Sequence, residues 1–104
     1  MTTYARHELV CEALGDATRR TILEELRREP RSVTALAAAL PVSRPAVSQH
    51  LRVLADAGLV GHRQEGTRHL YHVDPDGLGP LRAWLNDFWQ DVLDTFADFV
   101  ARNP

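Results

Sequence analysis

Cysteine occurs once in this chain, at Cys11, and lysine does not occur at all. A lone thiol cannot close an intramolecular disulfide. No apolar run is long enough to cross a bilayer, and none near the N-terminus has the pattern of an export signal, so the sequence reads as cytoplasmic with no membrane partner. A glycine-rich phosphate loop, a nucleophile elbow and an HExxH motif are all missing. Asp87, Asp91, Asp94 and Asp98 recur at helical spacing, but no acid, base or nucleophile stands near them in sequence, so they read as a solvated face. Neither an enzyme nor a bound cofactor is expected. At 104 residues, 44% hydrophobic and 25% charged, the chain 1–104 should form one domain, with no room for a separate catalytic one.

The net charge of −2 and pI near 6.2 argue at first against nucleic acid, but the charge is unevenly placed. Residues 1–42 hold six Arg and six acids, residues 43–73 four Arg and two acids, and residues 74–104 two Arg and six acids. Four of the five histidines also fall in the middle third. One end of the fold can therefore meet phosphate while an acidic end points away.

That basic third begins with PVSRPAVSQHLRVLADAGL, Pro41–Leu59. At 100° per residue Val47, Leu51 and Leu54 form one narrow apolar stripe, and Pro45, Ser48, Gln49, Arg52 and Asp56 gather opposite. Ser43 caps the start, Pro45 fits a first turn whose N–H groups lack helical partners, and Gly58 can end the helix in the left-handed conformation. The outward face suits DNA. Gln49 can pair bidentately with adenine, Arg52 with guanine, and Ser48 can reach a base edge or phosphate; Ser43, Arg44 and Pro45 at the leading end complete this candidate surface. Just upstream, Ser32 can cap a short helix through Val33, Leu36, Ala37 and Leu40, and the turn that follows has the length of a helix-turn-helix.

Around this centre, Tyr4–Leu14 reads as a first helix with Leu9, Val10, Ala13 and Leu14 on its apolar side, after a frayed 1–3. Asp16 caps a second helix from Ala17 to about Glu29 that turns Ile22, Leu23 and Leu26 inward. After Gly58 the pattern becomes extended. Leu59–Arg63 and Arg68–Val73 are expected strands joined by Gln64, Glu65, Gly66 and Thr67, a hairpin with Tyr71 and Val73 toward the core. Arg63, Thr67 and Arg68 near its tip are further candidates for DNA contact. The last helix starts near Pro80 and carries Trp84, Leu85, Phe88, Val92, Phe96, Phe99 and Val100 in a stripe that Trp89, Leu93 and Ala97 widen. So much apolar surface exceeds what one small core can use, so it should pack against a two-fold mate.

LGDATRRTIL at Leu14–Leu23, VSRPAVSQHLRVLADAGLV at Val42–Val60 and GTRHLYHV at Gly66–Val73 resemble the ArsR family of winged helix-turn-helix regulators. The resemblance runs from about Val10 to Phe99. It implies a mainly α fold with about five helices and a two-stranded β-hairpin wing, dimeric through the first and last helices, with Leu9, Val10, Ala13, Trp84, Leu85, Phe88, Val92 and Phe96 at the interface. It also implies double-stranded DNA carrying an inverted-repeat operator as partner, repression by occlusion, and Arg19 or Arg20 near a phosphate. A winged-helix module that binds protein instead of DNA is the alternative from another class; acidic or bulky apolar residues at 49 and 52 would have favoured it.

Metal-sensing members of the family would carry close cysteines before the recognition helix, or His and carboxylate ligands on the last helix. Here those places read VTALAAAL and LRAWLNDFWQDVLDTFADFV, without Cys or His, so the resemblance is to a metal-free branch. His7 and Cys11, one helical turn apart, and His69 with His72 on the wing strand remain as the other possible ligands, and a metal- or redox-responsive sensor using Cys11 stays as an alternative.

Overall fold

The computed structural model describes residues 3–103, with side chains from Arg6 to Asn103; of the frayed end expected at 1–3, Met1 and Thr2 lie outside them and Thr3 instead opens the first helix. The elements follow in the order α1 (Thr3–Leu14), α2 (Ala17–Arg28), α3 (Val33–Ala39), α4 (Arg44–Asp56), β1 (Val60–Glu65), β2 (Arg68–Val73) and α5 (Gly79–Arg102). Each inner helix begins at the residue that local chemistry selects. Asp16, Ser32 and Ser43 all stand in extended conformation and accept from the backbone N–H three residues on, satisfying donors that the helix cannot. Gly58, at φ +80°, ends α4 as a Schellman cap: its N–H donates to the Ala55 carbonyl and the Leu59 N–H to the Leu54 carbonyl.

The core lies among α1, α2, α3, α4 and the base of the hairpin. Val10, Ala13, Ile22, Leu26, Leu36, Val47, Leu51, Leu54, Leu59 and Val60 are buried, with Tyr71, Val73 and Leu81 packed against them. The stripe expected on α4 is complete, since Val47, Leu51 and Leu54 are its buried residues. At about 1.5–3 kcal/mol for each fully buried aliphatic side chain, these three fix the rotation of α4 far more firmly than any surface pair.

β1 and β2 pair antiparallel from Val60↔Val73 to Glu65↔Arg68. The pairing extends further than the sequence suggested, because Gln64 and Glu65 belong to β1 and the turn is only Gly66–Thr67. Gly66 takes φ +66° while Thr67 does not enter the left-handed region, as in a type II′ hairpin turn, whose twist matches the strands and lets them pair to the tip. The backbone of Arg31 makes a single bridge to Tyr71, with N–H···O distances of 3.0 and 2.8 Å in the two directions. This tethers β2 to the segment between α2 and α3. Gly77 is required for a different reason: a Cβ there would meet the Gly58 carbonyl and Leu59 Cα.

α5 differs from the rest. It is 24 residues long, about 36 Å at 1.5 Å per residue, and none of its residues is buried. It packs along α1 near its start, where the Trp84 ring stacks on the buried His7 with centroids 5.6 Å apart and on Phe88 at 5.3 Å.

Candidate DNA-binding and pairing surfaces

α4 is held by its buried stripe so that the opposite face is open. Ser43, Arg44, Pro45, Ser48, Gln49 and Arg52 are all exposed, as the periodicity required. The Ser43 hydroxyl accepts from the Ala46 N–H at 3.3 Å, which fixes the leading turn of the helix. The ion pairs found among the described residues use Arg31 and Arg63, so no carboxylate engages Arg44, Arg52 or Arg68. Their guanidinium groups can meet an incoming anion without first breaking a bond.

The wing has two unlike faces, because side chains alternate along a strand. Arg63, Glu65 and Arg68 share one face, with Glu65 directly opposite Arg68 and 3.8 Å from Arg63. That ion pair is exposed at both ends and therefore weak enough for a phosphate to displace. The other face carries His62, His69 and Tyr71. The imidazoles of His62 and His69 stack at 4.8 Å and His62 leans on Tyr71 at 5.2 Å. This face turns toward α3 and α4, leaving a hollow of about 370 Å³ lined by Thr34, Ser48, Thr67, Arg68, His69 and Tyr71 among others. Reading the sequence one element at a time did not reveal this hollow, since its walls come from two helices and a hairpin.

Arg19 and Arg20 do not face outward as free phosphate ligands. Arg19 donates from Nε to the Ala13 carbonyl at 2.7 Å and from Nη2 to Glu12 at 3.2 Å, and Arg20 donates from Nη1 to Leu14 at 2.6 Å. Both arginines satisfy the last carbonyls of α1, where a cation also complements the helix dipole. Asp16 sits beside them. The Arg19 backbone N–H, bonded to it at 3.0 Å, holds its carboxyl below the usual carboxylate range against an opposing desolvation, with lesser help from the charges of Arg19 and His50.

The residues expected at a dimer interface divide in two. Val10 and Ala13 are each only 1% exposed within the single chain, so they belong to its own core and cannot reach a mate. Periodicity identified their face of α1 correctly, but the neighbours covering that face are in the same chain. Leu9 is half-buried, and Trp84, Leu85, Phe88, Val92 and Phe96 are exposed, together with Trp89, Leu93, Phe99 and Val100.

His7 and Cys11 are also separated by their surroundings, since His7 is buried under Trp84 and Cys11 is exposed. His69 and His72, three residues apart on one strand, point to opposite faces. Among the described residues no three His, Cys, Asp or Glu side chains converge as a metal site would need, and no helix is long and apolar enough to cross a membrane.

With this geometry in hand, known proteins place the chain in context. A helix-turn-helix domain family matches residues 14–63. The HTH-type transcriptional regulator Rv2034 of Mycobacterium tuberculosis is 49% identical over 100 residues, covering 96% of this chain and 94% of the relative. Among solved structures, an ArsR-like transcriptional regulator from Rhodococcus sp. RHA1 superimposes with a TM-score of 0.79 at 35% identity, covering 93% of this chain and 94% of its own. The homodimeric winged helix-turn-helix DNA-binding domain of Mb0332 from Mycobacterium bovis, described as a possible ArsR-family regulator, gives a TM-score of 0.68 at 30% identity, covering 84% and 81%.

Proposed function

This chain belongs to the ArsR family of winged helix-turn-helix transcriptional regulators, DNA-binding proteins and not enzymes, and from that premise we propose that it works as a homodimeric repressor that occludes an inverted-repeat operator in the cytoplasm. The observation that carries the reading is the outward face of α4. Ser48, Gln49 and Arg52 stand exposed on a helix whose other side is locked into the core, so they present a fixed pattern of donors and acceptors to a major groove. Gln49 and Arg52 read bases, Ser43, Arg44, Pro45 and Ser48 orient the helix on its strand, and Arg63, Thr67 and Arg68 bring the wing to the backbone.

Pairing is supported by α5, whose aromatic residues beyond Trp84 stay exposed among the described residues, and by the similar Mb0332 domain, which is a homodimer. Leu9 and the stripe from Trp84 through Phe96 form the contact. The dimer acts most simply by excluding other proteins from the promoter.

The test starts from an operator selected out of a random duplex pool with the wild-type protein. Base contacts specify whereas phosphate contacts position, so Gln49→Ala and Arg52→Ala should each cost about 1–3 kcal/mol on that operator and little on random duplex. Variants that bind the selected operator as tightly as wild type would remove α4 from the major groove.

A further inference from the structure

Apart from Val33, the hollow between α3, α4 and the wing is lined by polar residues. Thr34, Ser48 and Thr67 carry hydroxyls, Tyr71 a phenol and His69 an imidazole, Arg68 borders the hollow from the strand whose side chain it turns to the other face, and no carboxylate lines it. Such a set of donors with no competing anion suits one ligand class, a phosphate oxygen cluster. The His69 ring is kept in place by its stack on His62, which in turn rests on Tyr71. Ser48 opens onto the same exposed face of α4 as Gln49 and Arg52, so the hollow lies between the base-reading helix and the wing.

We propose that this hollow seats one backbone phosphate of the bound DNA, with Thr34 and His69 as positioning residues beside Ser48 and Thr67. The seat bridges two elements that otherwise contact the duplex separately. A phosphate held there sets the insertion depth of α4 and the approach of the wing together, so register depends on a pair of residues that read no base. The inference rests on the DNA-binding reading above and adds to it a site built from α3 and β2.

Affinity would be measured by fluorescence anisotropy on the selected operator and on random duplex, across a range of sodium chloride. Thr34→Val and His69→Gln should each weaken both duplexes by about threefold to tenfold, the size of one ordinary net hydrogen bond. Thr34→Ser keeps the hydroxyl and should bind as wild type, whereas a packing role for the methyl group would leave it impaired. Neutral methylphosphonate would then replace each operator phosphate in turn. At one position per half-site the wild type should lose a similar factor, and there the two variants should lose nothing more.

Several results would overturn the seat while leaving the regulator intact: variants equal to wild type on both duplexes, losses confined to the operator, or losses that persist at every methylphosphonate position. That last pattern would mean that the hollow takes free phosphate or nothing. Failure of the wild type to bind any duplex would remove the DNA-binding reading itself, and the seat with it. Circular dichroism melts check folding, and both substituted side chains are exposed.

Discussion

Arg19 and Arg20 open α2, where the family resemblance brings a DNA strand near, yet both guanidinium groups are turned back onto the carbonyls of Glu12, Ala13 and Leu14. Hydrogen bonds from a charged donor to carbonyls at a helix C-terminus contribute about 1.5–3 kcal/mol, more than a solvated arginine contributes at the surface. Arg19→Ala should therefore lower unfolding stability by about 1–3 kcal/mol in urea titrations. It should leave the slope of log affinity against log salt unchanged, because no counterion release is lost, whereas losing a phosphate ligand would reduce that slope by about one. A reduced slope with unaltered stability would return Arg19 to the DNA face. The sequence showed that these residues are cationic and near a helix start; it could not show their acceptors, because those carbonyls become neighbours only when the Gly15–Asp16 turn folds α1 back beside α2.

At the scale of elements, most of the fold was legible because its signals are local. Caps at Asp16, Ser32 and Ser43, the stop at Gly58 and the 3.6-residue stripe of α4 all act within one or two turns of chain, and all appear where the sequence put them. The misses are where distant segments decide. Gly77 is needed because the Gly58 carbonyl passes close by, Arg31 ties down β2 through its backbone, and Val10 and Ala13 are covered by their own chain and not by a mate. The α5 stripe tests the division between own core and partner directly. Phe96 is 64% exposed and sits well beyond the stretch that Trp84 anchors on α1, so Phe96→Asp costs the isolated chain little. Across a two-fold contact it places a charge in an apolar interface from both sides. Sedimentation should show Phe96→Asp as a monomer, and operator affinity should fall on the order of a hundredfold as the second half-site loses its linked partner. A dimeric Phe96→Asp that binds normally would require another pairing surface.

The whole chain is too extended to be a finished globule. Its radius of gyration is 18.0 Å and its longest extent 64 Å, against about 13 Å for the radius of a compact domain of this length. The excess comes from α5, and a partner laid along that helix would convert an exposed aromatic rod into the centre of a wider particle. Charge divides between the elements, with the acidic residues Asp87, Asp91, Asp94 and Asp98 on α5 and Arg44, Arg52, Arg63 and Arg68 on α4 and the wing. In a two-fold dimer built this way the acidic helices lie away from the duplex and the two α4 faces point to the same side of it. Such symmetry reads an inverted repeat whose half-site centres lie about 10 base pairs, or about 34 Å, apart, or a multiple of that turn. Footprinting on the selected operator should give this spacing. Inserting about 5 base pairs between the half-sites rotates one of them to the far side of the helix, beyond the reach of a dimer joined by paired helices, so affinity should drop to that of a single half-site. An operator that tolerates the insertion without loss would mean that the two reading heads are joined flexibly or bind independently, and a rigid pairing through α5 would be ruled out.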